Sequence, residues 1–252
     1  MLEIAGKLPS GALIGGEDRA LSQAVLHTGG ARFIARQADV VATDGRITGW
    51  NEALGAVVAE AAGPNTGNSR FDAGPPGAML CTAGLNCGFV LPAFTPGVES
   101  FTAAVILTSR GDAKSLVSVS TGQSNNLIFL TESEGQLIAK DREGSVEVAL
   151  PLAPETLSAG RARLVILGFD GRALWLSSGG QTVRAEGQVP GLDHPADFFI
   201  GCRSNRAGLT KMLGTSRLHE VLFWPDRALL GSSAPEDQAV LGALDRYIRW
   251  VW

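Results

Sequence analysis

The chain has 252 residues, 45% of them hydrophobic and 18% charged, which supports a sizeable core and excludes global disorder. Its formal charge of −4, with no run of basic residues, gives no electrostatic reason to expect a nucleic-acid partner. The 32 glycines and 12 prolines suit many short strands joined by many turns.

The opening "MLEIAGKLPSGALIGG" has no basic start and no long apolar run. The expectation is therefore no signal peptide and synthesis in the cytoplasm. No stretch approaches the ~18 apolar residues of a membrane span, so no membrane insertion is expected. "EDRALSQAVLH" (17–27) places Leu21, Val25 and Leu26 on one side, as a helical turn or two would. Residues 1–30 read as an arm or anchoring segment, and 31–252 as one domain. A strand is expected from Phe33 to Val41, then a turn at Asp44-Gly45, then a short strand carrying Ile47 and Trp50. Residues 62–77, "AGPNTGNSRFDAGPPG", form a loop of functional length.

Strands then follow one another. "SFTAAVILTS" (100–109) is apolar on both faces, as a strand between two layers must be. "SLVSVSTG" (115–122) alternates, and "NNLIFLTESEGQLIAKD" (125–141) is a hairpin turning at Glu134-Gly135. "ARLVILGFDGRALWLSSGGQTVRAEG" (162–187) is a meander turning at Asp170-Gly171 and Gly179-Gly180. "DFFIGCRSN" and "SRLHEVLFW" add two more strands. The spacing predicts an all-β, two-sheet antiparallel sandwich. Cys81, Cys87 and Cys202 match no zinc spacing; they read as free, buried, small apolar residues, with a Cys81–Cys87 bridge as the alternative.

The last segment is a short helix. Ser233 and Glu236 fit a capping box with Pro235 in the first turn, and Val240, Leu241, Leu244, Ile248 and Val251 share a face. That face requires an apolar surface, and the sandwich is the candidate.

The ending Gly214, Glu220-Val221, Asp226-Arg227-Ala228-Leu229, Tyr247-Ile248, Trp250 resembles the concanavalin A-like lectin/glucanase superfamily, in its laminin-G-like and pentraxin-like jelly-roll branch. "FFIGCRSN" (198–205) resembles the strand and loop before that ending, and "DGRITGWNEALG" (44–55) the first-strand ending of bacterial and phage members. The resemblance covers residues 32–252 and implies a lectin-like jelly roll. Arginine outnumbers lysine 17 to 4, which with the Ala and Gly content suggests a GC-rich bacterial genome or its phage.

Members of this superfamily include glycosidases with acids two apart on a strand. Glu132 and Glu134 have that spacing, but "TESEG" lacks the central Asp and sits at a hairpin tip, so both read as solvated turn acids. There is no G-x-S-x-G, and His219, alternating with Val221, reads as a structural histidine. Relatives bind calcium, but Asp44, Asp72, Asp112, Asp170, Asp193 and Asp197 are scattered singly, so neither metal nor cofactor is expected. Planar amide and guanidinium groups concentrate in the loops 63–70, 120–126 and 201–208. Gln123, Asn125, Asn126, Arg203, Asn205 and Arg206 are the candidate carbohydrate-binding residues, the competing reading being that Asn and Gly simply make turns. Trp50 and Trp175 read as packing residues.

The expectation that follows is a non-enzymatic, receptor-binding protein of a phage-like particle such as a gene transfer agent. It would be a head spike, fibre or tail-associated part that attaches to cell-surface or capsular polysaccharide. Its other partners would be capsid or tail proteins, held through the N-terminal segment, and further copies of itself. A purely structural virion part and a polysaccharide-degrading hydrolase are the alternatives.

Overall fold

The computed structural model describes residues 15–252 apart from 45, 56, 65–69, 96–98, 124, 125, 159, 188–191, 193 and 206–209. Helix α1 (Gly16–His27) is followed by β1 (Ala31–Ile34), β2 (Val40–Thr43), β3 (Arg46–Asn51), β4 (Val58–Ala61), β5 (Arg70–Asp72), β6 (Ala78–Cys81) and β7 (Phe89–Thr95). Next come β8 (Phe101–Thr108), β9 (Lys114–Ser120), β10 (Leu127–Ser133), β11 (Gln136–Asp141) and β12 (Glu147–Pro151). A short helix α2 (Pro154–Ser158) precedes β13 (Arg163–Phe169), β14 (Ala173–Ser178), β15 (Gln181–Glu186), β16 (Ala196–Ile200), β17 (Ser216–Trp224) and α3 (Pro235–Val251).

The first sheet runs β15-β14-β13-β8-β17-β6-β5, with β1 also paired to β17; the second runs β12-β11-β10-β9-β16-β7-β4-β3-β2. Their facing sides make one apolar core, and the strand alternation decides who enters it. Phe101, Ala103, Val105 and Leu107 of β8 point into it with Ile128 and Leu130 of β10. Phe198 of β16 stacks on Phe223 of β17 at 3.9 Å between centroids, tying one sheet to the other. Trp50 sits edge-on to Phe33 and Phe89, as a packing residue should.

The other side of β8 is apolar because helices cover it. Ala104, Ile106, Ile166, Leu222 and Trp224 of the first sheet pack under Leu21 and Val25 of α1 and under Val240, Leu244 and Tyr247 of α3. Residues 16–27 of the expected arm are thus packed on the sandwich; residues 1–14 lie outside the described residues. Gly30 permits this docking, since a Cβ there would stand 2.4 Å from Trp224 Nε1.

Three expected elements differ. Residues 62–77, expected to be a loop throughout, hold strand β5 (Arg70–Asp72), paired with β6. The single strand from Phe33 to Val41 is two strands in different sheets, β1 and β2, separated by a 3-10 turn at Gln37–Asp39. A run of apolar residues reports burial on either side of a turn, and not sheet membership. Helix α3 has Ala234 at its N-cap with no side-chain cap of its own. Ser232 replaces Ser233: its Oγ accepts the Ala234 N–H at 3.2 Å and donates to the Asp237 carboxylate. Asp237 also accepts from Arg227 Nη1 at 2.6 Å, so the "DRAL" turn clamps the helix start. On the helix face Val240 and Leu244 are buried, Leu241 and Ile248 half-buried, and Val251 exposed, the stripe being completed by Ala243 and Tyr247.

Two residues that carried the resemblance prove to be in contact. Tyr247 of α3 donates its hydroxyl to Glu220 of β17. Glu220 also accepts from Arg32 of β1 through Nε (3.1 Å) and Nη2 (2.8 Å). Arg32 reaches Ser22 Oγ (2.7 Å) and Asp18 (2.8 Å) of α1 and lies 4.8 Å from the Tyr247 ring centre. One buried ionic cluster therefore joins both helices to both strands.

Candidate functional site

The outer face of the second sheet carries the groove with the most chemistry. Pairing register places Phe129 of β10 between Lys140 of β11 and Ser118 of β9, and Ser118 beside Phe199 of β16. These side chains face away from the sandwich core because their neighbours Ile128, Leu130, Val119 and Phe198 face into it. Ser120, paired with Asp197, forms the adjacent row.

Across these rows lies the segment after β16. Gly201 starts it with φ 71°, its N–H donating to Leu116 O at 2.7 Å. The outward serines of β9 then pin it: Ser118 Oγ donates to Arg203 O (3.0 Å), and Ser115 Oγ to Met212 O (2.8 Å). Val90, Phe199, Cys202 and Ala62 form a small apolar cluster under its start. The result is a groove of ≈ 460 Å³ with Leu127, Phe129 and Phe199 toward its floor. Its walls carry Gln123, Arg203, Ser204, Asn205, Lys211 and Met212, with Lys140, Arg142 and Asp197 completing the lining.

Arg203 is the central feature. Its guanidinium lies 3.6 Å from the Phe129 ring centre, and its Nε donates to Ser115 Oγ at 3.1 Å. Burial lowers its pKa to about 10, and no carboxylate opposes that effect. It stays charged at neutral pH. Phe129 is only 2% exposed, so the planar surface offered to a ligand is the guanidinium rather than an aromatic ring.

Of the candidate residues, Gln123, Arg203 and Asn205 come together in this groove. Asn205 Oδ1 accepts the Gly63 N–H at 2.9 Å, which ties the loop at 63 to the one at 205 and leaves the Asn205 amide N–H groups for a ligand. Asn126 is half-buried and closes the turn, its N–H donating to Gln123 O at 3.4 Å; it does not line the groove. Asn125, Arg206, Asp193 and Gly45 lie outside the described residues. Lys140, Arg142, Phe129 and Lys211 escaped the sequence reading, and Asp197 stood there only among the scattered acids, because they come from separate segments. The outward alternation of Phe129 along β10 was the available signal.

Glu132 requires a correction. It is not a solvated turn acid: it is 0% exposed, in β10 on the same face as Ile128 and Leu130. There it pairs with Arg163 of β13 across the sandwich and accepts from Ser109. Glu134, at φ 53°, is the exposed turn residue expected. One acid is therefore buried in the sandwich and the other exposed at the turn. Three of the scattered aspartates are in local use: Asp72 pairs with Arg217 (2.8 Å), Asp112 with Lys114 (2.6 Å), and Asp170 accepts from Trp175 Nε1 (2.8 Å). None of the three cysteines is in a disulfide; Cys87 and Cys202 are buried and Cys81 half-buried.

A second groove of ≈ 570 Å³ lies where α1, α3 and β17 meet. Its polar groups are engaged with one another, apart from Trp252 Nε1, which is buried without a hydrogen-bond partner among the described residues. Glu220 is held by Arg32 and Tyr247. His219 joins Gly77 O through Nδ1 (2.8 Å) and Thr108 Oγ1 through Nε2 (2.9 Å), with Trp252 against its ring at 4.6 Å. That is the structural histidine expected from the sequence.

No protein-family profile matches the chain, and no curated protein matches it in sequence. Solved structures do. Trypanosoma rangeli sialidase in complex with sialic acid aligns at 15% identity over 85% of this chain and 33% of that one, with a TM-score of 0.56. Domain 4 of AbnA, a GH43 extracellular arabinanase from Geobacillus stearothermophilus, in complex with arabinotriose, aligns at 10% identity over 84% of this chain and 96% of that one, TM-score 0.55. The fold is that of a concanavalin A-like jelly roll. Domains LG4–5 of the mouse laminin α1 chain also match, at 17% identity over 60% of this jelly roll and 43% of that chain, TM-score 0.42. At these identities the likeness is one of fold, and this jelly roll spans about a third of the sialidase chain.

Proposed function

We propose that the chain is a non-catalytic carbohydrate-binding module whose ligand lies in the groove on the outer face of the second sheet. The observation that carries this reading is the convergence of Arg203, Gln123 and Asn205 on one groove. Planar guanidinium and amide groups form paired hydrogen bonds with sugar hydroxyls. The structural neighbours in complex with sialic acid and arabinotriose share the fold and lend support. The non-catalytic part is supported by Glu132, the acid best placed in sequence for hydrolysis, which faces the sandwich interior locked to Arg163. The commonest glycosidase mechanisms use two carboxylates flanking one sugar, ~5 to ~9.5 Å apart. Asp197 is the carboxylate of the groove lining, and its Oδ1 is held by the Ala93 N–H at 2.8 Å.

In this reading the module works as a spike, fibre or tail-associated part of a phage-like particle that attaches to cell-surface or capsular polysaccharide. Residues 1–30 would meet other particle proteins, and copies would assemble. The likeness of residues 44–55 to bacterial and phage sequences supports that placement. The test is a glycan array and polysaccharide pull-down with the full chain and with Arg203→Met, followed by sizing of the recovered polysaccharide. Retention of a glycan by the wild type, its loss in the variant and unchanged polysaccharide length are expected. Binding to no glycan, or shortening of the chain length, would overturn the proposal.

A further inference from the structure

We propose that the groove takes an acidic glycan, one bearing carboxylate, sulfate or phosphate groups, through Arg142, Arg203 and Lys211. This rests on the carbohydrate reading above and names the ligand's class.

The chain as a whole is acidic, at −4, yet the groove lining holds four cations, Lys140, Arg142, Arg203 and Lys211, against one carboxylate, Asp197. They converge from two segments. Lys140 is in β11, and Arg142 follows it with its N–H anchored on Leu127 O at 3.1 Å. Arg203 and Lys211 come from the segment pinned over β9.

Cations without a carboxylate partner among the described residues occur elsewhere too, but the groove gathers three of them, Arg142, Arg203 and Lys211, against one carboxylate. Arg32 and Arg163, both buried, are each paired with a buried glutamate. At the surface, Arg217, Arg227 and Arg249 each have an aspartate at 2.8, 2.6 and 3.0 Å. In the groove only Lys140 has a carboxylate, Glu147 at 2.9 Å. Arg142 and Lys211 have no carboxylate partner among the described residues, and Arg203 has a neutral hydroxyl and a phenyl ring. A largely desolvated guanidinium without an anion is unfavourable, and a ligand anion would offset that cost with charge-assisted, bidentate hydrogen bonds. The lack of an exposed aromatic platform points the same way. Phe129 and Phe199, each 2% exposed, give a sugar ring little to stack on, so charge and hydrogen bonding must supply the recognition.

The experiment uses an array that pairs acidic polysaccharides with their carboxyl-reduced or desulfated counterparts, plus a single-stranded oligonucleotide. Three forms of the full chain are compared: wild type, Arg142→Gln/Lys211→Gln in the groove, and Arg246→Gln/Arg249→Gln on α3 as a charge-matched control. Acidic glycans are expected to lead. Affinity for the best of them should fall about tenfold in the groove variant, weaken with added salt, and hold in the control. Equal binding of acidic and reduced forms, unaffected by the groove variant, would overturn the acidic class and leave carbohydrate binding standing. Retention of no glycan, or of the oligonucleotide in preference to every glycan, would overturn both.

Discussion

Arg32 and Arg203 are both largely removed from water, and their replacement by methionine should have opposite consequences. Arg32 is bonded to the buried Glu220, so Arg32→Met strands a carboxylate that also holds Tyr247. Breaking a buried pair from one side costs about 3–5 kcal/mol. At about 2–4 °C per kcal/mol for a chain of this size, Tm should fall by about 6–20 °C. Among the described residues Arg203 has no such partner. Its pKa drops from 12.5 to about 10, and each tenfold change in acidity is about 1.36 kcal/mol. The folded state therefore disfavours this charge by up to about 3 kcal/mol, less where solvent reaches the guanidinium. Losing the Phe129 contact and the Ser115 hydrogen bond costs about 1 kcal/mol each. Methionine keeps the packing over the ring, so Arg203→Met should leave stability within about 1 kcal/mol of wild type while glycan affinity falls. Urea unfolding of the two variants decides the matter. Equal destabilisation by both would mean that Arg203 belongs to the framework and would refute the assignment of a ligand role to it.

Glu132→Gln should lower stability by about 3 kcal/mol, because Arg163 is left buried without its anion, yet leave glycan affinity unchanged; unfolding and binding on one preparation check both. His219 is held with a depressed pKa, first by burial and then by Arg217, against the pull of Gly77 O. The unfolded chain therefore takes up this proton first, so the histidine's contribution is full above its ordinary value of 6.5 and shrinks as pH falls below it. His219→Gln should flatten the dependence of Tm on pH between about 7.5 and 5.5. Burial pushes the Cys81 thiol up to about 12 and the Cys202 thiol up as well. A thiol reagent at about pH 8 should therefore label neither within minutes in the native protein and both after unfolding, as mass spectrometry of digests would show.

Much of the architecture was legible because it follows from local periodicity. The two-sided apolarity of β8 foretold a sheet sandwiched between a core and a covering layer, which α1 and α3 supply. The Gly179-Gly180 turn has both φ angles positive, at 58° and 80°, as its dipeptide demanded. What periodicity does not encode is which strand lies beside which. The split of residues 33–41 between two sheets, and the pairing of Glu132 with Arg163 of the opposite sheet, both depend on that. The inward phase of Glu132 was nonetheless present in the alternation with Ile128 and Leu130. The groove was half legible: its loop residues Gln123, Arg203 and Asn205 stood out as planar polar groups. Lys140, Arg142 and Lys211 did not, since single cations in separate segments look like solvated surface until the register brings them together.

The most direct measurement is a crystal structure of the full chain with the tightest glycan from the array. Sugar density is expected on the outer face of the second sheet, with an oxygen within hydrogen-bond distance of the Arg203 guanidinium and Lys211 or Arg142 facing an acidic group. A glycan seated on the helix-covered face, or in the groove between α1, α3 and β17, would contradict that placement.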